Sequence, residues 1–300
     1  MEMTRREWLQ TAVVAGAGTL LAGRAHAAPS ALGVQLYTVR DQITKDPDTT
    51  LKAIADIGYR EVEVLRGTLD RVVPIARKLG LAPVSIHVET PIVTGKWDAW
   101  SFMRGLVPPG YGLTEALHDA KAHGAKYFVL PYLMPTEREH TAAFYTALGE
   151  TMNRAGRQAA DAGLVFCYHN HGFEFERLPD GRLPLDVLMA ATDPALVKLE
   201  LDVFWVSVTG NDPVAMIRKY GDRVALMHLK DKSASAPKTT QEAQVPPTAF
   251  SEVGSGSLDF PAILKAAAEA GVAHYFVEQD HTPGDPIDSL RRSYEYLRTL

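Results

Sequence analysis

The chain has 300 residues, 46% of them hydrophobic and 22% charged, which is enough to bury the core of one large α/β domain. A formal net charge of −5 at pH 7, with Arg and Lys scattered along the chain, argues against nucleic acid and anionic membranes as partners, because both attract basic surfaces. Cys167 is the only cysteine, which excludes an intrachain disulfide.

The first 27 residues predict an export signal that is separate from the fold. Arg5 and Arg6 precede an apolar, Ala/Gly-rich stretch at 11–22, and residues 25–27 read Ala-His-Ala, a small-residue cleavage site. We expect export by the twin-arginine route to the periplasm or beyond, with a mature chain that begins near Ala28 and has no stable membrane association after cleavage. An ordinary amphipathic N-terminal helix is the alternative, and the glycines in this stretch disfavour it.

Residues 28–300 alternate between short apolar runs typical of buried parallel strands and segments with helical periodicity. The predicted strands are 33–39, 60–65, 83–88, 126–132, 165–171, 197–203, 224–230 and 274–279. The predicted helices are 48–57, 69–79, 113–123, 137–162, 185–191, 213–220, 261–270 and 286–300. Several of these helices end at a glycine just before the next strand, which is a common helix stop.

Eight strand–helix units in one stretch of this length predict a single α/β domain, a (β/α)8 TIM barrel over residues 28–300. A doubly wound open sheet is the alternative, but no Gly-x-Gly-x-x-Gly turn follows the first strand.

Two connections are unusually long, and both follow strands, so a barrel would place them on its active-site face. Residues 90–112 contain Trp97, Trp100 and Phe102, which favours a wall or lid over disorder. Residues 232–257 are rich in Ala, Ser, Thr and Pro, and for this segment a lid and a disordered insertion stay equally open.

Four apolar runs in the second half end in groups that bind metals or move protons: VFCYHNH at 165–171, VKLELD at 197–202, VALMHLKD at 224–231 and AHYFVEQD at 273–280. Such endings are costly to bury unless they pair or coordinate something. Side chains alternate along a strand, so each run aims two polar groups at one face. The pairs are His169 with His171, Glu200 with Asp202, His228 with Lys230, and Glu278 with Asp280. This mixed set predicts one divalent metal ion at the barrel mouth, Mn²⁺ ahead of Zn²⁺, Co²⁺ or Mg²⁺.

From QLYTVR at 35–40 to VEQD at 277–280, the chain resembles the sugar phosphate isomerase/epimerase family, the xylose-isomerase-like barrels. The resemblance implies one divalent metal held by a Glu, an Asp, a His and a Glu from strands five to eight. Asp202, His228 and Glu278 match the last three. His169 stands where the first Glu is expected, because the Glu-Asn-His of many members here reads His-Asn-His at 169–171.

We therefore expect His169 as the fourth ligand, with Glu174 or Glu200 as alternatives that would restore the missing carboxylate. The mechanism that the resemblance implies is proton abstraction next to a carbonyl, with the metal stabilising an enediolate. Glu278 would be both ligand and base on one face of the substrate. Glu174, Glu200 or His171 would serve the other face.

Further polar groups are candidates for substrate contacts. Lys230 is placed either to neutralise an oxyanion or to pair with Asp231 or Asp280. Trp205 is either a platform for a sugar ring or a core residue. Hydroxyl contacts are expected from strands one to three, by residues Gln35, Tyr37, Glu63 and His87.

The leading functional hypothesis is a metal-dependent isomerase or epimerase that acts on a non-phosphorylated sugar or ketosugar. A lyase or hydratase on a keto-sugar or keto-glycoside is the alternative within the enzymes, and a noncatalytic sugar-binding barrel is the alternative of another class. A related barrel, the metal-dependent endonuclease, needs a basic DNA-binding face that the net charge opposes. The expected partner is a small carbohydrate. The sequence leaves open whether the protein forms a homo-oligomer.

Overall fold

Eight parallel strands close into a barrel in a computed structural model that describes residues 31–300. The barrel strands are β1 (Gly33–Gln35), β2 (Glu61–Leu65), β3 (Ala82–His87), β4 (Tyr127–Leu130), β5 (Val165–His169), β6 (Val197–Asp202), β7 (Val224–Leu229) and β10 (His274–Val277). They pair in that order, and β10 pairs with β1 to complete the circle. This confirms the predicted TIM barrel. The twin-arginine and cleavage-site predictions fall on residues that lie outside the described range.

Helices follow the barrel strands and cover the outside of the sheet. They are α1 (Arg40–Lys45), α2 (Pro47–Ile57), α3 (Leu69–Lys78), α4 (Thr90–Thr94), α5 (Leu113–Ala122), α6 (Ala142–Asp161), α7 (Pro184–Ala191), α8 (Val203–Val208), α9 (Pro213–Tyr220), α10 (Phe260–Ala270) and α11 (Pro286–Leu297). The predicted helices are all present, and α1, α4 and α8 are additional. Asp259 shows why a helix starts where it does, since its side chain accepts a hydrogen bond from the Ala262 N–H and caps α10. None of the helices within residues 31–300 combines the length and apolarity needed to cross a bilayer.

The predicted first strand, 33–39, is too long. The structure ends β1 at Gln35, and Leu36–Val39 form a 3₁₀ turn. The Gln35 side chain accepts a hydrogen bond from the Tyr37 N–H at 3.0 Å, which bends the chain away from the barrel. The predicted helix at 137–162 is also too long, because α6 begins only at Ala142, after its cap Thr141.

The barrel interior is built in two layers. Apolar side chains fill its lower part, with Val129, Cys167, Leu226 and Phe276 among them. A polar layer of carboxylates and imidazoles lies above them, towards the carboxyl ends of the strands, and is also buried. Active sites of TIM barrels lie at this end.

Both long connections are folded against that same end. In the first, a 3₁₀ segment at Asp98–Leu106 holds Trp100, whose indole Nε1–H donates to Glu137 Oε2 at 2.6 Å. In the second, β8 (Asp231–Lys232) and β9 (Phe250–Ser251) form a small antiparallel pair. The second connection is therefore ordered, and the hypothesis of a disordered insertion is wrong.

Candidate active site and metal centre

Two buried carboxylates, Glu63 and Glu200, lie between three imidazoles below the barrel mouth. Glu63 Oε2 is 2.6 Å from His228 Nε2 and 2.9 Å from His87 Nε2. Glu200 Oε2 is 2.8 Å from His87 Nε2 and 3.0 Å from His169 Nδ1. We call these five residues the lower network.

Both carboxylates of the lower network are ionised. Burial would raise the pKa of Glu63, but the imidazoles of His87 and His228 hold it well below its ordinary value. Burial and the charge of Glu63 would raise the pKa of Glu200, yet His228, His87 and His169 lower it to about 2. Because an ionised carboxylate only accepts hydrogen bonds, the imidazole nitrogens that face it carry the protons.

This proton arrangement leaves one nitrogen of His169 free. Its Nδ1–H is used by Glu200, and burial together with His228 lowers the pKa of His169 well below its ordinary value. The ring is therefore neutral, with a lone pair on Nε2. That atom lies 3.8 Å from Asp202 Oδ2, which is buried and has no hydrogen-bond partner.

Two further side chains, those of His228 and Glu278, complete the group around the space between His169 Nε2 and Asp202 Oδ2. His228 Nδ1 is 3.9 Å from Asp202 Oδ2 and 2.9 Å from Glu278 Oε2, and Asp202, His228 and Glu278 are close enough to share a metal ion. With His169 Nε2 they form a two-imidazole, two-carboxylate set, which we call the donor set. Such a set suits a divalent transition metal.

A second group of donors, His87, His169, Glu200 and His228, is also close enough to hold a metal. Its imidazoles already hydrogen-bond Glu63 and Glu200 through the nitrogens that face these carboxylates. The donor set is the better candidate because it includes the free Nε2 of His169. The lower network, including Glu200, orients the ligating histidines from beneath, as carboxylates commonly do.

The charges at the mouth also fit a divalent ion. Lys230, only 1% exposed, places Nζ 2.8 Å from Glu278 Oε2, 2.8 Å from Asp280 Oδ2 and 3.1 Å from Asp202 Oδ2. Three carboxylates outnumber the one ammonium, an excess of negative charge that the neighbouring His228 imidazolium offsets only in part and that favours a divalent cation. Burial raises the pKa of Asp202 to about 6 although Lys230 opposes the change, so this carboxylate lacks a full partner.

Of the two partners expected for Lys230, the structure supports Asp280. The Asp231 carboxylate instead accepts backbone N–H groups of the second long connection, from Gly254, Gly256 and Ser257. Asp231 therefore fixes that segment against the barrel, while Lys230 belongs to the site.

Above the donor set lies an open cleft of about 540 Å³, a volume typical of small-molecule sites. His87, His169, His171, Glu278 and Asp280 line its polar part. The Nδ1 atom of His171 is buried without a hydrogen-bond partner. An orphaned polar atom at a cleft is available to a substrate hydroxyl.

The expected substrate contacts divide between the cleft and its support. Tyr37 and His87 line the cleft. Gln35 does not reach it, because its amide donates to Glu63 Oε2 at 2.7 Å, so the predicted direct contact is replaced by a supporting role. Trp205 is buried with its ring centre 5.2 Å from that of His171, and its Nε1 has no partner.

The structure does not support Glu174 as a ligand or base. Its carboxyl accepts hydrogen bonds from the Tyr168 hydroxyl and from the His171 N–H at 2.9 Å. Tyr168 alternates with His169 along β5 and faces the helices, so Glu174 lies outside the barrel wall.

Glu174 nevertheless makes a testable contribution to stability. Burial raises its pKa from 4.5 to about 8, with Glu242 adding to the rise. Since the folded pKa lies above the unfolded one, the free energy of unfolding is highest below about pH 4.5 and falls as pH rises towards 8. Glu174→Gln is expected to remove this part of the pH dependence, on the order of 2 kcal/mol, in denaturant titrations at pH 5 and 8. The exposed Glu176→Gln is the control; equal pH slopes for wild type and Glu174→Gln would contradict the assignment.

Among the cleft-lining residues that sequence reasoning missed, three carry polar groups. Arg66 and Glu89 form a buried ion pair through two hydrogen bonds, and Tyr132 stacks edge-on against His171 with ring centres 4.7 Å apart. All three lie one or two residues beyond the ends of β2, β3 and β4. Their position after parallel strands was the available signal.

The lower network predicts an effect on metal affinity without contact to the metal. Glu63→Gln would remove the carboxylate that fixes the His228 ring, so we expect metal affinity to fall about 10- to 100-fold. Competition with a fluorescent chelator measures this. The matched control is Glu61→Gln, two residues earlier on β2, where the carboxylate pairs with His274 at 2.8 Å at the other end of the barrel. Equal affinities for wild type and Glu63→Gln would refute the orienting role.

Comparisons with known proteins agree with the fold. Residues 112–300 match the family model described as the xylose isomerase-like TIM barrel, and the chain belongs to that family. It is 28% identical to an inosose dehydratase from Clostridium beijerinckii over 160 residues, 50% of this chain and 53% of that protein. The match thus spans about half the length of this curated relative.

Two broader likenesses extend over most of the chain. An inosose dehydratase from Geobacillus kaustophilus is 25% identical over 276 residues, 84% of this chain and 87% of that protein. The crystal structure of a sugar phosphate isomerase/epimerase from Parabacteroides distasonis has a TM-score of 0.72 at 24% identity and covers 91% of this chain and 94% of its own. The structural likeness shows the fold alone.

Proposed function

We propose that this protein is a metal-dependent lyase that acts on a non-phosphorylated ketosugar or keto-glycoside. It would remove the proton beside the carbonyl and expel an oxygen substituent from the next carbon. The observation that carries the proposal is the origin of the cleft carboxylates: Glu278 and Asp280 both follow β10, and the third one, Glu89, is paired with Arg66, so the carboxylates available for proton transfer come from one strand. The inosose dehydratase relatives support the same reaction class.

The donor set accounts for the cofactor. His169, Asp202, His228 and Glu278 would hold a divalent ion, with Mn²⁺ favoured by the two carboxylates and two imidazoles, and that ion would supply positive charge to stabilise the enediolate. The lower network would orient the His169 and His228 rings towards that ion. Burial would lower the pKa of His228, but Glu200, Glu278 and Glu63 raise it well above its ordinary value, so the ring would release its Nδ1 proton when the ion binds.

Glu278 is the proposed base. Burial would raise its pKa, but Lys230 and His228 hold it well below its ordinary value, so the carboxylate is ionised and able to accept a proton. Its Oε2 faces His228 and Lys230, which leaves Oε1 for the substrate. After taking the proton from carbon, Glu278 can return it to the departing oxygen on the same face, so that one carboxylate serves both steps of a syn elimination.

The remaining groups bind the sugar. His171, whose pKa burial lowers well below its ordinary value, is neutral and offers Nδ1 to a hydroxyl. Arg66 is the only Arg or Lys that lines the cleft among the described residues, and Glu89 neutralises it. Among the described residues, the cleft thus offers no unpaired Arg or Lys to bind a phosphate group. This supports a non-phosphorylated substrate.

Isomerisation or epimerisation is the second candidate. Epimerisation needs a proton acceptor on each face of the substrate, and the unpartnered Nδ1 of His171 at the cleft supports that alternative. A noncatalytic sugar-binding barrel is disfavoured, because the three matching ligands, Asp202, His228 and Glu278, are all present and lie together.

Product analysis in D₂O tests the proposal. The metal-loaded protein is incubated with ketoses and 3-keto-glycosides. After the protein has been removed, the products are examined by NMR. A lyase releases the substituent and forms an unsaturated ketone. Deuterium at the α-carbon with every oxygen retained would favour the isomerase, and the absence of both changes would contradict enolising chemistry.

We further propose that residues 1–27 direct export by the twin-arginine route. The support is the sequence pattern around Arg5 and Arg6. Cell fractionation of the full-length protein should find a periplasmic form that begins near Ala28. Replacing both arginines by lysine should retain the protein in the cytoplasm, and unchanged processing of that variant would contradict the route.

A further inference from the structure

The cleft extends well beyond the donor set. Its volume of about 540 Å³ lies within the range of roughly 300–1,000 Å³ that holds drug-sized ligands, more room than one sugar ring needs. The far side is formed by Trp100, Phe102, Met103 and Tyr132, which we call the apolar wall. Its members come from the first long connection and from the end of β4.

The apolar wall is built for a ring. Trp100 and Phe102 lie nearly parallel, with ring centres 6.0 Å apart and planes at 22°, and Tyr132 meets Trp100 edge-on at 6.4 Å. Glu137 fixes the Trp100 indole, and Glu242 accepts a hydrogen bond from the Tyr132 hydroxyl at 2.8 Å. These contacts orient the aromatic faces before any ligand arrives, which lowers the entropic cost of binding.

Phe102 has no protein partner that covers it. Its side chain is 67% exposed at the edge of the cleft, although its neighbour Trp100 is buried. A single exposed aromatic ring is ordinary on a protein surface, but this one also lines the cleft, where it is open to contact with a ligand ring. The Arg66–Glu89 pair also lines the cleft and offers hydrogen bonds to hydroxyls without adding net charge.

From these observations we infer that the apolar wall is a subsite for a second ring, joined by a glycosidic oxygen to the ketosugar at the donor set. The shared chemistry is a ring with an apolar face, either a pyranose or an aryl group. This inference rests on the proposed lyase function, in which the bond between the ketosugar carbon and the glycosidic oxygen breaks while that oxygen stays on the second ring. The departing oxygen keeps the electron pair and takes the proton from Glu278, so the ring leaves as an alcohol or phenol.

The test compares substrates with one and two rings. We expect the wild type to have a higher kcat/KM for a 3-keto-disaccharide or a phenyl 3-keto-glycoside than for the methyl 3-keto-glycoside. Phe102→Ala should lower that two-ring to one-ring ratio about 3- to 10-fold, the loss of one ring contact. Leu106→Ala, 66% exposed in the same segment and outside the cleft lining, should leave the ratio unchanged. If only the disaccharide shows the higher kcat/KM, the second ring is a sugar; if only the phenyl glycoside does, it is an aryl group.

Calorimetric binding to the metal-loaded protein separates this inference from the proposed function. Tighter binding of the two-ring ligands that Phe102→Ala abolishes supports the subsite even if no ligand is turned over. Turnover of the methyl glycoside without any two-ring advantage, in rate or in binding, overturns the subsite and leaves the lyase intact. If Leu106→Ala lowered the two-ring to one-ring ratio of kcat/KM as much as Phe102→Ala does, the subsite would also be overturned.

Discussion

Replacing Glu278 by Gln is expected to lower kcat for the proposed elimination by about 10²- to 10⁴-fold, the usual contribution of a general base. The amide keeps the size of the side chain but accepts no proton. It also weakens the contacts with Lys230 Nζ and His228 Nδ1, at 2.8 and 2.9 Å. Steady-state rates at saturating metal and substrate measure the effect.

Glu61→Gln provides the matched control for this prediction. Glu61 is also a barrel carboxylate paired with an imidazole, that of His274, but it lies at the start of β2, away from the cleft. Its rate should equal that of the wild type. If Glu278→Gln retained wild-type turnover with an unchanged circular dichroism spectrum, Glu278 would not be the base.

Removing the metal is expected to have an effect of similar size. Dialysis against a chelator should abolish turnover, and adding Mn²⁺ back should restore it, because the carbonyl oxygen loses the positive charge that stabilises it during proton removal. Without the ion, Asp202, Glu278 and Asp280 share the single ammonium of Lys230. By mass action, metal at 100 times its dissociation constant should stabilise the fold by about 2.7 kcal/mol and raise the Tm by roughly 4–5 °C.

Asp202→Asn separates metal binding from general electrostatics. The variant keeps the hydrogen bond that Asp202 Oδ1 accepts from the Trp205 N–H, but it weakens the site for cations. Its Tm should respond far less to Mn²⁺ than that of the wild type. Full activity after chelation, or an equal Mn²⁺ response in both proteins, would contradict a metal at this position.

Much of the site was predictable because strands obey a two-residue period. The side chains of His169, Glu200, Asp202 and His228 share the barrel interior as alternation requires, and parallel strands bring their carboxyl ends to one rim. Lys230 and Glu278 lie one residue beyond their strands, close enough that the pattern still locates them. These residues follow from sequence alone once the barrel is accepted.

Residues that depend on the path of the chain after a strand were not predictable. Glu174 lies five residues beyond the end of β5, and a turn at Phe173–Phe175 carries its carboxyl to Tyr168 on the helix side. Gln35 ends β1, and its amide donates to Glu63 on the neighbouring strand β2. The two-residue alternation of a strand does not predict where either side chain lies, since both positions depend on a tertiary hydrogen bond.

The apolar wall shows a mixed result. The aromatic residues of the first long connection predicted a wall or lid, and Trp100 and Phe102 do line the cleft. The partners that complete the cleft, Arg66 with Glu89 and Tyr132 with Glu242, join segments far apart in sequence. Such pairs have no local signature, so only the fold reveals them.

The metal content of the purified protein tests the central assignment most directly. Elemental analysis of the wild type after loading and desalting should give about one equivalent of divalent metal, as one set of four ligands requires, and His169→Ala should fall well below it. Less than about half an equivalent in the wild type, or full occupancy in His169→Ala, would contradict a metal centre that His169 completes with Asp202, His228 and Glu278.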